Sequence, residues 1–229
     1  MIEIQDTTLI CTDCRDVEHA VKVLNRCTSL CNFPEVKLLT SQQTDCPYRV
    51  EIPHIGSLVH YSVFMLKEIY KYVDTKYLLI VQRDGWILNP QSWNDEWFKY
   101  DYMGALFNQW DIMGVGGFSF RSRALMESVA NKYPDWSNSE EEAQRMQRIV
   151  GSHYEDSAIA IKLRPQLERE GFKFASLEDG AKFSGGGNPN NKYYEPYPFG
   201  WHGSWRTVDF ETGFVGKDIK HDGIIPPLL

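Results

Sequence analysis

Four short clusters in this chain carry residue types that do chemistry when they meet. In YLLIVQRDGWILNP (77–90), five apolar residues run into Gln82, Arg83, Asp84, Gly85 and Trp86. A carboxylate at the end of a buried strand, beside a glycine with no side chain, can be approached closely by a ligand or metal ion. Asp-Gly is also a common turn dipeptide, so these two residues alone leave both readings open. In GVGGFSFRSR (114–123), adjacent Gly116 and Gly117 precede a strand, which suits a backbone lying against a substrate or a tight turn. In SHYEDSAIAIKL (152–163), Glu155 and Asp156 open a helix. The partial positive charge there favours carboxylates, although capping accounts for only one of the two. In PFGWHGSW (198–205), His202 stands between glycines and the tryptophans 201 and 205, off any amphipathic element.

The elements that must position these groups follow from hydrophobic periodicity. TTLICT (7–12) and VKLLT (36–40) read as strands, joined by a helix over 16–31 for which Asp13 is the expected N-cap. Residues 57–74 read as a helix packed on more than one side, and YLLIV (77–81) as a central parallel strand covered on both faces. The first 90 residues are then a βαβαβ unit. Short strands are expected at 102–107 and 116–121, and helices at 122–133, 139–150 and 155–171, the last interrupted near Pro165. FKFAS (172–176) is expected as a final strand, and 184–198, rich in Gly, Asn and Pro, as a long loop. The expected class is α/β, with a mostly parallel central sheet flanked by helices. No composition shift marks a linker, so one domain is expected over 1–229, with a C-terminal tail over 206–229. Ligands of open α/β sheets bind outside the carboxyl ends of the strands, where Thr12-Asp13 and Gln82-Arg83-Asp84 both fall.

Composition narrows the classes of partner. A net charge of −7 argues against a phosphate backbone as main ligand, so nucleic acid is not expected. Aromatics at 14% with seven Trp serve either a core or platforms for flat or sugar-like ligands. No uncharged apolar run reaches the ~18 residues of a membrane span, which leaves at most peripheral membrane contact. The start MIEIQDTTLICTDC lacks the regions of a secretion signal, and the five cysteines are an odd number, so a cytoplasmic protein with reduced thiols is expected. Cys11, Cys14, Cys27 and Cys31 have a zinc-like spacing. Cys27 and Cys31, however, fall on the apolar stripe of the first helix, Cys27 roughly 16 Å along its axis from Cys11 and Cys14. They are expected in the core.

Taken together, Q-x-D-G (82–85), G-G-F-S-x-R (116–121), E-D (155–156) and F-G-x-H-G (199–203) resemble a family of bacterial glycosyltransferase-like proteins classed as a domain of unknown function and placed among GT-A-type glycosyltransferases. The resemblance covers roughly residues 5 to 205. It implies a Rossmann-like GT-A domain with a nucleotide-binding half over about 1–90 and an acceptor-binding half over about 91–205. It also implies a UDP- or GDP-sugar donor and a Mn²⁺ or Mg²⁺ ion held by a D-x-D motif. Asp84 matches the final carboxylate of that motif, Gln82 stands where its first aspartate would be, and His202 matches a late histidine ligand. YEDSAIAIKL is similar to the GGEDDDI segment of inverting galactosyltransferases, which makes Asp156 the candidate base and Glu155 its acceptor-binding partner. By the same resemblance Gly116 and Gly117 lie against the donor sugar, Thr12 and Asp13 near the base or ribose, Arg83 near the diphosphate, and Trp86, Trp201 and Trp205 offer faces to sugar rings.

The expected activity is transfer of a sugar to a glycan or lipid-linked acceptor, with inversion preferred, as in polysaccharide biosynthesis. Two rivals are a sugar-nucleotide-forming nucleotidyltransferase and an inert glycan-binding module. The first wants a glycine- and lysine-rich phosphate loop after the first strand, where this chain has CTDCRDVEHA.

Overall fold

The apolar runs TTLICT and YLLIV become neighbouring parallel strands, buried over their whole length. They lie in a computed structural model that describes residues 1–107, 112–152, 154–185, 195 and 197–203. In chain order its strands are β1 (Ile2–Glu3), β2 (Thr7–Thr12), β3 (Cys31–Asn32), β4 (Glu35–Thr40), β5 (Arg49–Glu51), β6 (Tyr77–Val81), β7 (Gly85–Ile87), β8 (Tyr102–Leu106), β9 (Met113–Ser122), β10 (Ser184–Gly185) and β11 (Gly200–His202). The α-helices are α1 (Val17–Leu30), α2 (Leu58–Lys67), α3 (Arg123–Asn131), α4 (Glu140–Val150), α5 (Glu155–Ser157), α6 (Arg164–Arg169) and α7 (Leu177–Phe183).

The central sheet has the order β5-β4-β2-β6-β9-β8. Its first four strands are parallel, and β9 runs antiparallel to both β6 and β8. The fold is thus α/β with a mostly parallel sheet flanked by helices. After β2 the chain adds β4 and β5 on one side, then crosses through α2 to β6 on the other. That reversal opens a crevice beyond the carboxyl ends of β2 and β6. A second sheet, β10-β11-β7, stands beside the crevice and is made from the two ends of the described chain beyond β6.

Three local expectations are corrected, and the interruption expected near Pro165 is found. The N-cap of α1 is Asp16, whose carboxylate accepts from His19 N–H, while Asp13 closes a turn by accepting from the N–H groups of Arg15 and Asp16. The helix expected over 57–74 ends at Lys67 and tightens into a 3₁₀ turn at Ile69–Tyr72; the buried Lys67 ammonium caps the carbonyls of Ala130 and Tyr133. The helix after Glu155 widens into a π turn over Ala158–Leu163 ahead of Pro165, whose missing N–H removes a helical bond. Residues 172–176 form only a bridge from Phe174 to Tyr102, because α7 begins at Leu177 and turns the chain away. Most of the expected loop 184–198 lies outside the described residues.

The aromatic surplus went largely into the core. Trp97, Phe118, Phe120, Phe183 and Phe199 are fully buried, with ring centroids 5.1 Å apart for Phe118 and Phe183 and 5.5 Å for Trp97 and Phe183. Such pairs contribute about 0.5–1.5 kcal/mol each beyond the area they bury.

Cys27 and Cys31 are buried core residues. Burial pushes both thiols up from 9.0 to about 12. A thiol that holds its proton more tightly when folded costs no stability below the unfolded value of 9.0 and progressively more above it, until the folded value of about 12 is passed. Stability should therefore fall across that window by up to about 1.4 kcal/mol per pH unit for each thiol. Thermal unfolding measured across it should show a falling melting temperature, and a shallower fall in Cys27→Ala; an equal slope in the variant would assign the alkaline loss to other groups.

Candidate functional site

Beyond the carboxyl ends of β2 and β6 lies a cavity of about 340 Å³. Thr12, Asp13, Arg83, Asp84, Gly117, Glu155, Asp156 and His202, all singled out by the sequence, line it. They come from five segments that meet nowhere else in the fold.

Asp84 and His202 are brought together by strand pairing. After β6 the chain turns tightly, Gly85 N–H donating to Gln82 C=O at 2.9 Å, and continues as β7. β11 pairs antiparallel with β7 so that His202 stands opposite Gly85, and Gly203 N–H donates to Asp84 C=O at 3.0 Å. Asp84 Oδ1 then lies 3.7 Å from His202 Nε2, with Asp84 only 9% exposed. The turn reading of Asp-Gly is thus met, and the same backbone sets the Asp84 carboxylate at the cavity.

The glycines serve a purpose the sequence did not disclose. A Cβ on Gly85 would come within 2.6 Å of the Gly117 carbonyl oxygen, so glycine lets β7 approach β9. A Cβ on Gly117 would overlap the His202 ring, and one on Gly116 would sit 2.5 Å from Glu155 Oε1. The space beside Gly116 is filled by the protein's own side chains rather than left for a sugar, and only Gly117 of the pair lines the cavity.

The acidic pair at the start of α5 divides into two environments. Asp156 is half-buried and faces the cavity; its Oδ2 accepts from Gly116 N–H at 3.0 Å and its Oδ1 from Ser157 N–H at 2.6 Å. Glu155 is 4% exposed and gripped on both oxygens by Arg121, at 2.7 and 2.8 Å. Burial lifts the Glu155 carboxyl above the usual range, with the Arg121 charge acting against it. Both oxygens of Glu155 are thus held by Arg121, so its partner is the buried guanidinium rather than the expected acceptor.

Trp86 and Trp201 face each other in register across β7 and β11 and are buried in the core, so neither is an open wall for a sugar ring. Trp205 lies outside the described residues. The exposed aromatic at this cavity is instead Tyr154, 53% exposed and two residues before Asp156. Sequence reasoning also passed over Tyr61, whose hydroxyl accepts from the Gln82 amide at 2.8 Å and which burial holds well above the usual phenol range. Arg121 left a readable signal: a guanidinium following Phe118 and Phe120 on the buried stretch of a strand demands a buried carboxylate elsewhere. Among the described residues no three His, Cys, Asp or Glu side chains are grouped to hold a metal ion, so Asp84 and His202 stand as a pair.

A comparison of the sequence with curated proteins returned no match. Among solved structures, the chain is similar to a glycosyltransferase involved in the glycosylation of the major capsid of PBCV-1, at 12% identity and a TM-score of 0.44 over 74% of this chain and 81% of that one. It is also similar to the apo-form glycosyltransferase GlyE of Streptococcus pneumoniae TIGR4, at 9% identity and a TM-score of 0.46 over 86% of this chain but only 54% of that one. Residues 48–202, more than half of the chain, match the family described as protein of unknown function DUF5672, and the chain belongs to that family.

Proposed function

We propose that the protein is a metal-dependent glycosyltransferase that moves a sugar from a UDP- or GDP-sugar to a hydroxyl of a glycan or glycolipid acceptor. One observation carries this reading: a carboxylate and an imidazole 3.7 Å apart at the ligand edge of the sheet, sharing a cavity with the Asp156 carboxylate. The pair fits Mn²⁺ or Mg²⁺ as ions that take one or two protein ligands and leave the rest to phosphate and water, with the imidazole favouring Mn²⁺. When bound, the ion supplies Lewis-acid stabilisation of the departing nucleoside diphosphate. Gln82, an amide where the motif has a carboxylate, keeps the donor set at a single carboxylate, and its NH₂ donates to the Tyr61 hydroxyl.

The chain's own residues do the rest. Arg83, half-buried on the cavity wall, neutralises the diphosphate, and Thr12 and Asp13 at the end of β2 orient the nucleoside. Asp156 takes the proton from the acceptor hydroxyl as the new glycosidic bond forms on the face opposite the leaving group, which gives inversion. Gly116 N–H and Ser157 N–H hold its two oxygens and leave further lone pairs for that proton. Tyr154 at the rim is placed to stack on the acceptor.

Of the rivals, the glycan-binding module loses two of its candidate platforms, since Trp86 and Trp201 are in the core. The test is a panel of nucleotide sugars with Mn²⁺ or Mg²⁺, read as thermal shift and as slow donor hydrolysis. A ligand at about 100 times its Kd adds about 2.7 kcal/mol. For a chain of this size, that raises the melting temperature by about 5–10 °C. The shift should vanish with chelator. If no nucleotide sugar stabilises the protein in either metal, the reading fails.

A further inference from the structure

We infer that Arg121 is a positioning residue for sugar transfer, acting through Glu155 to hold Asp156 at the cavity. The inference rests on the glycosyltransferase reading for its kinetic consequence but not for its geometry. Arg121 is fully buried on β9, and its two terminal nitrogens grip both oxygens of Glu155 at 2.7 and 2.8 Å. Its Nε donates to the Ser119 hydroxyl at 3.0 Å, which donates in turn to the Gly116 carbonyl at 2.7 Å. Its guanidinium lies over the Tyr102 ring, 4.9 Å from the centroid. The guanidinium is thus tied mainly to β9 and to the start of α5, with one longer contact, 3.9 Å, from Nη1 to Met126 Sδ in α3.

The fork fixes the first residue of α5, and Asp156 is the second. Its Oδ2 accepts the N–H of Gly116, the residue whose carbonyl the Ser119 hydroxyl holds. Helix start and strand are therefore pinned by two contacts, one buried and ionic, the other at the cavity wall. The helix that follows widens at once into a π turn, a form that recurs at functional sites. Without the fork, Asp156 keeps one hydrogen bond to β9 and loses the rigid anchor beside it. A displacement of the order of 1 Å in a reacting group costs on the order of 100-fold in rate.

A merely structural role for this buried ion pair and a positioning role separate in the double variant Arg121→Met/Glu155→Leu. Replacing a buried pair with apolar groups of similar volume is often neutral for stability. In that variant we expect a melting temperature near wild type, unchanged donor KM and nucleotide binding, and kcat reduced on the order of 100-fold. The Gly116 amide should also exchange its hydrogen faster than in wild type. Arg121→Lys keeps the charge without the two-oxygen fork and should show the same loss of kcat. Wild-type kcat in the double variant, or loss of kcat only in step with nucleotide binding and melting temperature, would overturn the inference. If the wild type proves to transfer no sugar, the Gly116 amide still decides: faster exchange in the variants supports the clamp and unchanged exchange overturns it.

Discussion

Asp156→Asn should bind metal and nucleoside diphosphate as the wild type does while losing sugar transfer by about 10²–10⁴-fold, the usual contribution of a general base. The substitution preserves shape but removes the group that accepts the acceptor's proton. It carries one structural cost, because both carboxylate oxygens accept backbone N–H groups, from Gly116 and Ser157, and an amide can accept on one side only. A backbone donor left facing the amide NH₂ costs about 1–3 kcal/mol if it finds no water. The variant should therefore melt a few degrees lower, and the assay belongs well below that temperature. The discriminating quantity is kcat against nucleotide affinity. Equal losses in both would remove Asp156 as the base and make it a structural residue of the cavity wall.

The second large effect concerns the other carboxylate. In Asp84→Ala, metal-dependent nucleotide binding should fall by on the order of 100-fold or more, since even groups behind a metal's ligands typically contribute 10–100-fold. The fold should survive. The backbone carbonyl of Asp84, which accepts from Gly203 N–H, is untouched, and its side chain approaches His202 at 3.7 Å. Melting of the ligand-free variant should match wild type, while the chelator-sensitive thermal shift disappears. Titration with Mn²⁺, followed by paramagnetic resonance of the free ion, reports the same loss without any turnover. Chelator-sensitive nucleotide binding that persists in Asp84→Ala would place the ion elsewhere. Together the two variants split the cavity into a donor side and an acceptor side: Asp84→Ala loses binding and hence transfer, Asp156→Asn transfer alone.

The elements legible in the sequence are those whose cause is local. TTLICT and YLLIV declare themselves because a strand covered on both faces must be apolar at every position, and both are found at their expected bounds. Helices α3 and α4 fall close to expectation because apolar spacing and the capping residues Ser122 and Ser139 are local signals. The location of the site was legible for a similar reason: two parallel strands that end in polar residues must end them at the same edge of one sheet. The break after Lys67 was less legible, since what decides it is which neighbour the helix packs on, whereas Pro165 announced the one at Ala158–Leu163.

What the sequence alone determined was therefore the α/β core and the edge at which Thr12, Asp13 and Asp84 emerge. Tertiary structure decided which candidates face the cavity. The pairing of β7 with β11 buried Trp86 and Trp201 and set His202 beside Asp84, because antiparallel register fixes which residues stand opposite regardless of their separation in the chain. The burial of Arg121 decided the fate of the acidic pair: a guanidinium in a dry core must be met by a carboxylate, and Glu155 was drawn inward to meet it, while Asp156 stays half-buried at the cavity wall.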